Sequence, residues 1–163
     1  MKVLLVNPHD TSQGGFSNAP LGLMYLASAI RDIAEVKISD GYVVGREGIL
    51  KDIDDWKPNI VGITCYTPGR HKALEIAYYA KSKGCKTVLG GAHPSIMYAQ
   101  MIEHYKFVDV FVKGEGERAI VEIVNDFIPE KNFYEERLIE NLDTIKLPAW
   151  DLVAMYKYPG GGN

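Results

Sequence analysis

The side chains able to bind or react gather where the apolar runs of this sequence stop. Lys2 to Val6 gives way to Asn7-Pro8-His9-Asp10, Asn59 to Ile63 gives way to Thr64-Cys65-Tyr66, and Val108 to Val112 leads into Gly114-Glu115-Gly116-Glu117. The sharpest such stop is Lys86-Thr87-Val88-Leu89-Gly90-Gly91-Ala92-His93-Pro94-Ser95. Gly90 and Gly91 remove two side chains where the chain leaves a strand, which lets an outside group approach the backbone closely. A tight strand-to-helix turn, with Pro94 in the first helical turn, accounts for the same residues. His93 either hydrogen-bonds within that turn or contacts a ligand. Glu115 and Glu117 precede a helix, where carboxylates favour the positive end of the dipole. Cys65 and Cys85 lie twenty residues apart with no Cys-x-x-Cys or Cys/His cluster. They indicate neither a disulfide framework nor a zinc or iron–sulfur site, and Cys65 reads as a small residue at a crowded strand end. The chemistry is that of binding through backbone groups, with no catalytic residue and no metal ligand assigned.

These stops are positioned by alternating elements. Lys2 to Val6 reads as a central strand, followed by a long loop rich in glycine and small polar residues, the kind of loop that carries function. A helix starts at Pro20 and presents Leu23, Leu26, Ala27 and Ile30 on one face. Glu35 to Ser39 is a short strand ending at Asp40-Gly41-Tyr42, and 45–55 form a weaker helix. Ile60, Val61 and Ile63 give the unalternating pattern of a strand covered on both faces. Helices follow over about His71 to Lys83 and Ser95 to His104. Ile120, Ile123, Val124 and Phe127 recur at helical spacing after the fifth strand.

Five strand-then-helix units predict an α/β fold, a doubly wound five-stranded parallel sheet, Rossmann-like, in the order 2-1-3-4-5. Ligands of such sheets sit beyond the carboxyl ends of the strands, at the switch point between strands 1 and 3. Four of the five strand ends carry glycine or a small polar residue, which suits a large flat or phosphate-bearing ligand. Residues 1–127 form this domain, and 128–163 read as a linker arm anchored by Leu147-Pro148-Ala149-Trp150-Asp151-Leu152, with Trp150 and Leu152 packing against a neighbour.

Composition bounds the rest. The 163 residues are 47% hydrophobic and 24% charged, with a net charge of −3 and interspersed signs. No basic stripe offers itself to nucleic acid, and no run approaches the roughly 18 apolar residues of a membrane span. The start of the chain is too short an apolar run for a signal peptide, so a cytoplasmic protein is expected. There is no G-x-G-x-x-G after strand 1 and no G-x-x-x-x-G-K-[ST]. Asn7 and Thr64 stand where a phosphoacceptor receiver domain needs acids. Thr11-Ser12-Gln13-Gly14-Gly15 offers hydroxyls and backbone N–H groups for a flavodoxin-type phosphate loop, with no clear helix start behind it.

Six segments in order carry a resemblance: Leu4-Leu5-Val6-Asn7-Pro8, Pro20-Leu21-Gly22-Leu23-Met24-Tyr25-Leu26-Ala27, Ile60-Val61-Gly62-Ile63-Thr64, Val88 to Ser95, Gly114-Glu115-Gly116-Glu117, and Leu147 to Leu152. Together they resemble the N-terminal cobalamin-binding domain of the class B radical S-adenosylmethionine enzymes. The resemblance implies a domain that holds the corrin for a methyltransferase or cyclase. S-adenosylmethionine and a [4Fe–4S] cluster would belong to a following catalytic domain of the same polypeptide, which here is the expected partner. The implied cobalamin-binding residues are Asn7, His9, Thr64, Cys65, Tyr66, Gly90, Gly91, His93, Gly114, Glu115 and Gly116. His9 follows Asn7 at the spacing of the cobalt-ligating histidine in D-x-H-x-x-G. Asn7 replaces the acid and Ser12 the glycine, and the resembled family leaves the lower face of cobalt to water or a non-coordinating side chain. A cofactor-free interaction domain keeping the same fold is the alternative.

Overall fold

The computed structural model describes residues 1–9 and 18–159. The Thr11 to Gly15 stretch, Ser12 and the closing glycines therefore lie outside the described residues. The elements run β1 (Lys2–Asn7), α1 (Leu21–Ile30), β2 (Glu35–Asp40), α2 (Gly41–Trp56), β3 (Ile60–Thr64), α3 (Arg70–Ser82), β4 (Lys86–Gly90), α4 (Ala92–His104), β5 (Val110–Gly114), α5 (Glu117–Asn125) and β6 (Phe133–Glu136). Short 3-10 turns follow at Leu142–Thr144, Trp150–Leu152 and Met155–Lys157.

All strands are parallel, in the order β2-β1-β3-β4-β5-β6. The alternation of side chains along each strand sorts the core into two layers. Leu4, Val6, Val61, Ile63, Leu89 and Phe111 face α2, α3 and α4 through Ile49, Ile53, Ala77 and Met101. Val3, Leu5, Ile60, Val88, Val110 and Val112 face α1 and α5 through Leu23, Ala27, Ala119 and Ile123. Both faces of the sheet are buried, which is why the strands read as continuous apolar runs.

Among the described residues the sheet has six strands, not five. Phe133–Glu136 pairs in parallel with β5, Phe111 opposite Phe133 and Gly114 opposite Glu136. Its side chains alternate: Phe133 stacks on Tyr98 of α4 at 4.5 Å, while Tyr134 is buried in the α1/α5 layer. Four residues, two of them glutamate, carry too little periodicity to announce a strand. The segment that follows is docked rather than extended. Ala149 N–H donates to Met24 O at 3.1 Å, Arg31 pairs with Asp151 through two hydrogen bonds of 2.9 and 2.7 Å, and Leu152 packs on the α1/α5 layer. Pro148 and Ala149 are the buried members of this anchor, while Trp150 remains half exposed.

Candidate functional site

The carboxyl ends of β1, β3, β4 and β5 open onto one cleft of about 610 Å³. Asn7, His9, Thr64, Tyr66, Gly90, Gly91, Gly114, Glu115 and Gly116 all line it, together with 18–22 at the start of α1. Its inner walls are apolar, with Leu5, Val88 and Val112 on the sheet facing Leu23 and Leu26 of α1 and Ile120 of α5. The cleft therefore runs from the strand ends down between the sheet and the α1/α5 layer.

A glycine opens that space. Gly62 lies in register between Leu5 of β1 and Val88 of β4, so one row across the sheet lacks its central side chain. A Cβ there would come within 3.0 Å of Leu5 Cδ2. Glycine inside a strand weakens it and marks close approach of another group.

The Gly-Gly pair divides its two explanations between its members. Gly91 has φ +104, and a Cβ would stand 3.0 Å from Cys65 O and 3.1 Å from Thr64 Oγ1, so the turn itself demands glycine. Gly90 carries no such constraint: its nearest neighbour would be Val112 Cβ at 3.7 Å, an ordinary contact, and its missing side chain leaves room in the cleft. The turn is tied down by Cys65 N–H to Gly90 O (2.8 Å), His93 N–H to Cys65 O (3.0 Å) and Ser95 Oγ to Gly91 O (2.8 Å). Gly114 N–H donates to Ser95 Oγ at 3.1 Å, joining the β4 and β5 ends.

Two of the predicted residues stand apart from the cleft. Cys65 is fully buried on the α2–α4 side, where burial pushes its thiol up to about 11. The His93 imidazole instead meets Thr67 Oγ1 at 3.1 Å, and burial together with the Arg70 charge lowers its pKa. Asn7 lines the rim but spends both ends of its amide within the protein. Its Nδ2 donates to Asp40 Oδ1 (3.0 Å) and its Oδ1 accepts from His9 N–H (3.3 Å). Asp40 also accepts from Tyr42 N–H (3.0 Å) and Tyr158 Oη–H (2.5 Å). Burial pushes the Asp40 carboxyl above the usual range, against the pull of those donors.

Sequence reasoning missed Gly62, whose signal was its place inside an apolar run, and it gave Glu117 a purely helix-capping role. Glu117 also lines the cleft, and its Oε2 is buried with no hydrogen-bond partner. Among the described residues no three His, Cys, Asp or Glu side chains gather as a metal site, and no helix is long and apolar enough to cross a membrane.

The sequence profile of the B12 binding domain matches residues 12–124, well over half of the chain. The chain belongs to the B12-binding domain family. This B12-binding domain is 33% identical to an uncharacterized methyltransferase of Pyrococcus horikoshii, in an alignment covering 99% of the chain and 41% of that protein. It is 29% identical to the anaerobic magnesium-protoporphyrin IX monomethyl ester cyclase of Rubrivivax gelatinosus, covering 97% of the chain and 34% of the cyclase. The chain thus spans well under half the length of these relatives. In fold it is similar to the N-terminal domain of a hypothetical protein of Thermotoga maritima, with a TM-score of 0.55 at 17% identity, over 74% of this chain and 93% of that one.

Proposed function

We propose that this B12-binding domain carries cobalamin with the nucleotide tail in the cleft between the sheet and α1/α5 and the corrin on the rim of strand ends. The observation that carries the placement is the trough left by Gly62 and Gly90, which runs from the rim into an apolar interior. Its 610 Å³ lies in the range of clefts that enclose a drug-sized ligand. The Thr64 hydroxyl and the backbone of Gly90, Gly91 and Gly114 to Gly116 would hold the polar parts, while Leu5, Val88 and Ile120 exclude water from the apolar part of the tail. Bound cobalamin would supply cobalt chemistry to a neighbouring catalytic domain; the residues described here bind and orient it.

The relatives extend well beyond the aligned part, and their names include a methyltransferase and a cyclase. This supports a parent enzyme of that kind, with S-adenosylmethionine and the [4Fe–4S] cluster on its catalytic domain, and 128–163 as the connection toward it. The free, buried Cys65 and Cys85 support a cytoplasmic setting.

The test is to mix the purified chain with hydroxocobalamin and follow corrin absorbance through gel filtration. Co-elution is expected for the wild type, and its loss for Gly62→Val and Gly90→Val, both folded by circular dichroism. A folded wild type that emerges colourless overturns the reading in favour of a cofactor-free interaction domain.

A further inference from the structure

We propose that Glu117 is a ligand-facing acceptor, one carboxylate oxygen taking a hydrogen bond from a neutral N–H or O–H group of the bound corrinoid at the α5 wall of the cleft. The inference rests on the cobalamin reading above. Glu117 is the first residue of α5, directly after Gly116, where a Cβ would meet Leu26 Cδ2 at 3.0 Å. The start of α5 is therefore pressed against α1, and the Glu117 side chain is held on the cleft wall between them.

Position in the first helical turn accounts for the negative charge, because the N-terminal end of the dipole is positive. It does not account for Oε2, which is buried and lacks a partner. Buried polar atoms are almost always hydrogen-bonded, so an unpaired carboxylate oxygen on a side chain that lines a ligand cleft is an acceptor awaiting its donor, reached when the side chain turns outward on binding. Ser39 Oγ, the other buried side-chain atom without a partner among the described residues, does not line the cleft.

The chemistry of the wall selects the donor. No lysine or arginine is among the described residues lining the cleft, and Glu115 stands beside Glu117. Two carboxylates without a lysine or arginine beside them repel an anion, so the phosphodiester of the tail does not sit against this wall. Cobalamin has two sets of neutral donors: the primary amides around the corrin and the hydroxyls of the tail's ribose. Either satisfies a carboxylate oxygen, and a hydrogen bond to a charged acceptor is among the stronger ones.

Spectrophotometric titration of wild type, Glu117→Gln and Glu117→Ala with hydroxocobalamin tests this, repeated with cobinamide, which keeps the amides and lacks the nucleotide. Glu117→Ala is expected to raise Kd about tenfold and isosteric Glu117→Gln by less, while neither lowers the melting temperature of the ligand-free protein. A penalty that persists with cobinamide assigns the donor to a corrin amide, and one that vanishes assigns it to the ribose. Wild-type Kd in both variants overturns the inference and leaves the cobalamin reading standing. Absence of binding by the wild type overturns both.

Discussion

Tyr158 donates its phenolic hydrogen to Asp40 over 2.5 Å, joining two residues 118 positions apart. Tyr42 stacks on the same ring at 5.7 Å, and Asp40 in turn holds Asn7 on the rim of the cleft. The last docked segment is thus fastened to the end of β2, beside the Asn7 rim of the site, and burial together with the adjacent carboxylate drives the Tyr158 phenol far above its ordinary pKa.

Tyr158→Phe leaves a buried carboxylate oxygen without its donor and should lower unfolding free energy by about 1–3 kcal/mol near neutral pH. Burial raises the folded pKa of Asp40 above its reference value of 3.8. Its contribution is therefore fully present below that value and is lost as pH rises through the folded pKa. Removing the phenol raises the folded pKa further, so the gap between wild type and variant should be smallest at low pH and widen as pH rises through the wild-type folded pKa. Urea unfolding at several pH values between 4 and 7 checks this, and a pH-independent gap would contradict it.

Gly114→Ala should be far worse than Gly90→Ala. Gly114 has φ +84, and its Cβ would stand 2.1 Å from Glu136 O, so the substitution strains the backbone and collides with β6. Strain alone is worth about 1–3 kcal/mol. The expected result is a large drop in melting temperature with fast amide exchange confined first to Phe133–Glu136. Equal effects of the two substitutions would count against the pairing.

Neither cysteine should be reactive in the folded protein. Both are buried, and the Cys65 thiol, pushed up to about 11, is almost wholly protonated at pH 8. A thiol reagent at pH 8 should label nothing until guanidinium is added and then label two groups. Rapid labelling of one thiol in native protein would be inconsistent with this packing.

His9 should not ligate cobalt. A ligating imidazole needs an acceptor on its second nitrogen, and Asn7 already uses its amide on Asp40 and on the His9 backbone. With cobalamin bound and reduced to the cobalt(II) state, the electron paramagnetic resonance spectrum should show no nitrogen splitting and should be the same for His9→Ala. A three-line splitting that disappears in His9→Ala would refute this.

The strand ends were legible because a strand covered on both faces must be apolar throughout, which makes its last residue conspicuous. That places Asn7, Thr64, Gly90 and Gly114 on one edge from the sequence alone. What escaped was set by contacts remote in sequence. β6 is stabilised by pairing with β5 and by the Tyr98–Phe133 stack, neither of which leaves a local pattern in four residues. The burial of Glu117 Oε2 goes with the close approach of α5 to Leu26 of α1. Gly62 was readable as a glycine interrupting Ile60-Val61-Gly62-Ile63, but only the register with Leu5 and Val88 shows that it empties a row facing α1 and α5.

β6 also settles how the sheet meets solvent on that side. With residues past 132 removed, β5 would become the border, and the backbone beside Val110, Phe111 and Val112 would present an unpaired apolar strand open to another molecule. The border strand that exists is only four residues long, with Glu135 exposed and Glu136 beside it. An identical strand docking there would bring like charges together. A chain shortened to residue 127 should therefore self-associate at concentrations where the chain through 158 stays monomeric, so this short acidic strand guards solubility as well as completing the sheet.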